Sequence, residues 1–208
     1  MDPKTGRPFR VLVVGPDTVG AKCAVLWLEH DTLILDVFPP PGFEGHACTV
    51  EGVPVEVFDG PEVLLDAGND AFRSDYAALA AEAVGLLALF DVASLRSMAD
   101  MYTILERTQA LRAARGLAPL PFFVIGTNME PDGRCAVSAA DARAAAAVYG
   151  GRYAAVNAYT GENVRAAFTD AIMFFIAAAD PSVNNNPRHR DGARKKRPRD
   201  LRSGCKHQ

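Results

Sequence analysis

Arg10-Val11-Leu12-Val13-Val14-Gly15-Pro16-Asp17-Thr18-Val19-Gly20-Ala21-Lys22-Cys23 is the stretch that decides how the chain folds. A continuously apolar, valine-rich run ends in a glycine, the pattern of a strand buried on both faces and released into a tight turn. Gly20 stands five positions after Gly15, and Lys22 two after that. This order approaches G-x-x-x-x-G-K-[ST], in which a strand feeds a loop whose backbone N–H groups face phosphate oxygens at a helix start. It departs in two places. Ala21 separates Gly20 from the lysine, and Cys23 takes the position where a hydroxyl would hold magnesium. Alone, the two glycines are equally consistent with a plain strand–turn–helix junction.

Working outward, 208 residues suit one domain with a sizeable core. With 49% apolar and 23% charged residues, the composition is that of an ordinary globular protein. No uninterrupted apolar run approaches the ~18 residues of a membrane span, and the N-terminal residues form no apolar signal core. Cys23, Cys48, Cys135 and Cys205 lack C-x-x-C spacing, which argues against a zinc site or disulfide framework and for a reducing, cytoplasmic setting. The net charge of −3 hides an asymmetry. Arg188 to Gln208 carries nine Lys/Arg against two acids, leaving 13 basic and 23 acidic residues for the rest. An acidic body with a basic tail is not a nucleic-acid-binding domain by composition, so no specific nucleic acid is expected as a partner.

Strand and helix signals alternate along the chain. Phe9 to Val14 reads as a strand and Gly20 to Glu29 as a short helix. Pro39-Pro40-Pro41-Gly42 requires an irregular loop. Cys48 to Phe58 alternates around Glu51-Gly52 and predicts a hairpin, with Pro54 near an edge or at the strand's first residues. An alanine-rich helix reaching Ala83 precedes a buried strand over Val84 to Phe90. Ser94 to Arg115 carries Leu95, Met98, Met101, Tyr102, Leu105 and Leu111 at helical spacing. Pro121 to Gly126 is a third buried strand. Ser138-Ala139-Ala140-Asp141 resembles a capping box opening a helix to Tyr149. Tyr153 to Val156 is a short strand, and Val164 to Ala178 a helix with Phe168, Ile172, Phe175 and Ile176 on one side. The alternation predicts a mostly parallel sheet covered on both faces, with any ligand at the carboxyl ends of the strands.

Four blocks then carry a resemblance. Beside Gly15–Cys23 stand Leu65-Asp66-Ala67-Gly68, Thr127-Asn128-Met129-Glu130, and Asn157-Ala158-Tyr159-Thr160-Gly161-Glu162-Asn163-Val164. Over residues 8–180 their order and spacing are similar to those of a small GTPase of the Ras/Rab superfamily, with its phosphate loop, L-D-T-A-G, N-K-x-D and S-A-K-T-G-E-N-V blocks. The resemblance implies an α/β P-loop small GTPase (G domain) fold, with a six-stranded mostly parallel sheet and helices on both faces. Residues 181–208 are expected to form a disordered basic tail. It also implies a guanine-nucleotide (GTP/GDP) site built from Gly15, Asp17, Thr18, Val19, Gly20, Ala21, Lys22, Cys23, Gly68, Thr127, Asn128, Glu130, Asn157, Ala158 and Tyr159. Cys23 and Asp66 would fall at the Mg2+ positions, and Asn69 at the residue that orients the attacking water.

Each block departs from the family pattern, and the departures fall on the chemistry. One residue late, Lys22 points about 100° away on a helix unless Ala21 bulges. A thiol is a poor ligand for magnesium, which takes hard oxygens. The loop from Phe38 to Gly45 has no threonine to sense the outer phosphate, and one residue is missing between Asp66 and Ala67. Asn128 lacks the apolar stem of the family lysine. Glu130 keeps the charge of the base-pairing aspartate but reaches further. Ala158 retains the backbone N–H that would face guanine O6, and Tyr159 offers a ring for stacking.

The leading expectation is therefore a divergent Ras/Rab-like switch or scaffold in signalling or vesicle traffic, with impaired or absent hydrolysis. The alternatives are an active GTPase hydrolysing GTP to GDP, and a nucleotide-free protein-interaction module. Effector or regulatory proteins would dock through residues 38–45 and the segment after Gly68. In the tail, Arg194-Lys195-Lys196-Arg197-Pro198-Arg199 and Cys205-Lys206-His207-Gln208 resemble a polybasic, prenylated membrane anchor with Cys205 as the lipid acceptor. A nuclear-import cluster and a solubilising tail are the other readings of the same residues.

Overall fold

The computed structural model describes residues 6–16, 44–59, 70–128 and 134–180. The helix expected over Gly20 to Glu29, the loop expected over Val37 to Gly45 as far as Phe43, and residues 181–208 lie outside these; Glu44 and Gly45 belong to a strand, not to the loop.

Six strands form one sheet: β1 (Phe9–Val14), β2 (Glu44–Val50), β3 (Val53–Asp59), β4 (Gly85–Asp91), β5 (Phe122–Asn128) and β6 (Arg152–Asn157). Their order is β2-β3-β1-β4-β5-β6. Only the β2–β3 pair is antiparallel. That pair is the hairpin read from the sequence. Val50 opposes Val53, and Glu51 and Gly52 both take positive φ, 49° and 81°. Two positive φ values define the turn whose twist matches paired strands. Pro54 is the second residue of β3, opposite Thr49, and pairing with β1 begins only at Val55. The missing N–H is thus tolerated at the strand's first residues, and β3 lies inside the sheet.

Alternation along the strands divides the core into two. Val11, Val13, Val55, Val57, Leu87, Leu89, Phe123 and Ile125 face one side. Leu12, Val14, Leu86, Ala88, Phe90, Phe122 and Val124 face the other. Among the described residues, α1 (Asp70–Glu82), α2 (Leu95–Ala113) and α3 (Ala139–Val148) cover the second side, and α4 (Val164–Ala179) the first. Phe168, Ile172, Phe175 and Ile176 of α4 have no exposed surface, as their i, i+4, i+7, i+8 spacing predicts. Each such side chain contributes about 1.5–3 kcal/mol by leaving water. Gly85 makes room for this stripe, since a Cβ there would sit 2.1 Å from Cγ of Phe175.

The helix ends are set by short-range chemistry. Ser94 Oγ accepts from the Ser97 N–H at the start of α2, and Ser138 Oγ accepts from the Asp141 N–H at the start of α3. Side chains of α2 and of the turn after it then fasten α1. Thr108 Oγ1 donates to the Ile104 carbonyl at 2.8 Å, so the buried Tyr76 hydroxyl is the donor to Thr108 at 2.6 Å. Arg112 Nη1 donates to the Ala80 and Ala81 carbonyls, and Arg115 Nη1 to that of Ala77. Leu95 differs from its reading as part of the apolar stripe: it is 65% exposed.

Candidate functional site

Parallel strands all release the chain at the same sheet edge, so β1, β4, β5 and β6 deliver their following residues together. The register fixes which residues meet. Val14 pairs with Ala88, Asp91 with Thr127, and Asn128 with Asn157. The base-reading blocks, 29 positions apart in sequence, thus become neighbours. Gly15 and Pro16 continue from β1 and are buried at the same end. The structure therefore brings together Gly15, Thr127, Asn128, Asn157, Ala158 and Tyr159. Asp17, Thr18, Val19, Gly20, Ala21, Lys22, Cys23, Asp66, Gly68, Asn69, Glu130 and Cys205 lie outside the described residues.

Thr127 has no exposed surface, and its Oγ1 donates to the Phe90 carbonyl at 3.1 Å. Its own carbonyl accepts from the Val92 N–H at 2.9 Å. Ala158 is equally buried, and its N–H donates to the Asn128 carbonyl at 3.0 Å, extending the β5–β6 ladder by one rung. Asn157 folds the next turn. Its Oδ1 accepts from the N–H groups of Tyr159 (3.0 Å) and Thr160 (2.9 Å), a side chain imitating a turn carbonyl. Its carbonyl accepts from Gly161, and its N–H donates to the Glu162 carbonyl. Gly161 and Asn163 take positive φ, and Asn163 Nδ2 donates to the Ala155 carbonyl at 2.7 Å before α4 begins. The product is a pinned loop that leaves the Tyr159 side 45% exposed.

Some members of this end were not singled out in the sequence. The Asp91 N–H donates to Ser97 Oγ, and Asp91 Oδ1 accepts from the Ala93 N–H, which holds the turn from β4 into α2. The Val92 carbonyl accepts from Ala136 and Val137, binding the segment before α3 to the same edge. Asp91-Val92-Ala93-Ser94 after a buried strand carries the turn and cap signal that marks them. Among the described residues, no group of three or more His, Cys, Asp or Glu could hold a metal ion.

The profile of the Ras family matches residues 10–176. The Ras-related protein O-RAL of Diplobatis ommata is 28% identical over 200 residues, which cover 94% of this chain and 91% of that protein. Ral-B of Rattus norvegicus is 28% identical over 192 residues, 90% of this chain and 88% of its own. The Xenopus laevis protein ralB-B is 28% identical over 165 residues, 77% and 76% of the two chains.

Proposed function

Because the chain belongs to the Ras family of small GTPases, we propose that it binds GTP and GDP at the carboxyl ends of β1, β4, β5 and β6 as a switch or scaffold whose hydrolysis is impaired. The family, and the sheet edge where Gly15, Thr127, Asn128 and Asn157 converge, support the binding half. One observation carries the hydrolysis half: the order Gly20-Ala21-Lys22-Cys23, which displaces the lysine and puts sulfur at the magnesium position. Cys23 offers a soft donor where magnesium takes hard oxygen, so that position does not fit the ion. Asn69 is shorter by one methylene than the glutamine that orients water in Ras-type sites.

We assign partner docking to residues 38–45 and the segment after Gly68, and contact with anionic membrane to the basic residues after Arg188. Signalling or vesicle traffic is the setting that follows.

The test is to purify the protein from cells, denature it and quantify the released nucleotide. Stoichiometric GTP with little GDP is the expected result. Stoichiometric GDP would overturn the reading as an empty module, and an empty protein means a nucleotide-free interaction module. EDTA is expected to leave the rate of nucleotide release unchanged. A variant lacking Ala21 and carrying Cys23→Ser is expected to gain sensitivity to EDTA, because the lysine and the hydroxyl return to register.

A further inference from the structure

A helix that changes position with a ligand must exchange one set of contacts for another. The half of α1 from Tyr76 to Glu82 is held against such an exchange. Tyr76 is 3% exposed, and its hydroxyl donates to Thr108 Oγ1 of α2 at 2.6 Å. One turn on in both helices, Arg112 Nη1 donates to the Ala80 carbonyl and, at 3.3 Å, to that of Ala81. Arg115 Nη1 reaches the Ala77 carbonyl at 2.7 Å. From the sheet, Arg10 of β1 pairs with Glu82 and, at 3.0 Å, with Glu56 of β3.

The two buried contacts carry the weight. Tyr76 and Ala80 are four residues apart on α1, and Thr108 and Arg112 are four apart on α2. The helices therefore run in step, and the two contacts fix one register between them. A slide or roll of α1 along α2 separates both at once. It leaves a phenol and a guanidinium in the core without acceptors, where water does not replace them. Ala77, Ala80 and Ala83 are buried too, so small side chains bring α1 close to what it covers. The Arg10–Glu82 pair is partly in water and adds little by comparison.

We infer that α1 from Tyr76 to Glu82 keeps one position whichever nucleotide is bound, so that any rearrangement between GTP and GDP ends before Tyr76. A partner that reads this half of the helix binds both states alike, and there the protein is a scaffold. The inference rests on the nucleotide binding proposed above and names the part of the segment after Gly68 that does not switch. The test is amide hydrogen exchange on the full chain incubated with GDP or with a non-hydrolysable GTP analogue, with bound nucleotide quantified in each sample. Amides of residues 79–84 are expected to exchange within about threefold of each other in the two states. A larger difference with both nucleotides bound overturns the inference and leaves nucleotide binding standing. Arg112→Met is expected to speed exchange of these amides by about tenfold or more in both states. Tyr76→Phe, the milder change, is expected to speed it by about threefold. Unchanged exchange in the variants means that these contacts do not hold the helix, which overturns the inference. Failure of either nucleotide to bind the parent overturns it together with the reading it rests on.

Discussion

Single side chains carry more of the described fold than their chemistry advertises. Glu51 holds φ 49° in the β2–β3 turn, a conformation that costs most non-glycine residues about 1 kcal/mol and asparagine less. Glu51→Asn is therefore expected to stabilise the protein by about 0.5–1 kcal/mol in urea denaturation. That turn was legible, because valines alternate on both sides of a Glu-Gly pair. Tyr76 was not, because its partner Thr108 lies 32 positions away on another helix. Burial pushes the Tyr76 phenol above its ordinary value of 10.0. The folded state thus keeps a proton that the unfolded chain releases, so Tyr76 makes stability fall as pH rises above about 10. Tyr76→Phe removes this contribution. Denaturation midpoints between about pH 9 and 11 should decline less steeply in the variant than in the parent.

Elements are joined by contacts that no local pattern announces. The last carbonyls of α1 have no partners within that helix, and Arg112 of α2 supplies them for Ala80 and Ala81. Arg112 is 8% exposed and donates through Nε to the Ala118 carbonyl at 2.9 Å as well as to Ala80 and Ala81. Burial lowers its pKa, and the negative end of α1 favours its charge. On a helical wheel this arginine lies on the buried face, four residues after Thr108 and seven after Leu105, and its charge is what hides that from a sequence reading. It is buried because α1 packs its end there, a fact set by tertiary placement. Arg112→Met keeps the stem but leaves three carbonyls unsatisfied, and is expected to cost about 2–4 kcal/mol. Arg112→Lys should recover part of that loss. The check is a lowered urea midpoint with an unchanged slope, which distinguishes lost stability from a changed unfolded state. The opposite case is Gly85, where the absence of a side chain is the contact. Gly85→Ala forces the Phe175 ring out of the core and is expected to cost about 2–3 kcal/mol.

At the scale of the molecule, sheet class, strand sequence and the α4 stripe were legible because hydrophobic period and glycine position fix them locally. The hydrogen bonds at the base end were not. They depend on register, since Asn128 must oppose Asn157 before the Ala158 N–H can reach its carbonyl. Register also bears on where the folded unit closes. Phe175 and Ile176 are fully buried and the Asp180 N–H donates to the Ile176 carbonyl, so the last described turn is anchored in the core. A chain ending at Asp180 is therefore expected to keep its stability in urea denaturation within about 0.5 kcal/mol of the parent's. Its charge changes greatly, because the residues from Arg188 onward hold nine basic groups against two acids while the rest is acidic. Near an anionic bilayer each basic group contributes about 1 kcal/mol, within a Debye length of the surface. Unlipidated full-length protein should co-sediment with vesicles rich in phosphatidylserine at low salt and be released by about 0.5 M salt. The shortened chain should stay in the supernatant at both. Sedimentation of the shortened chain would move the membrane-contacting surface from the tail to the folded body, whose acidic balance opposes it.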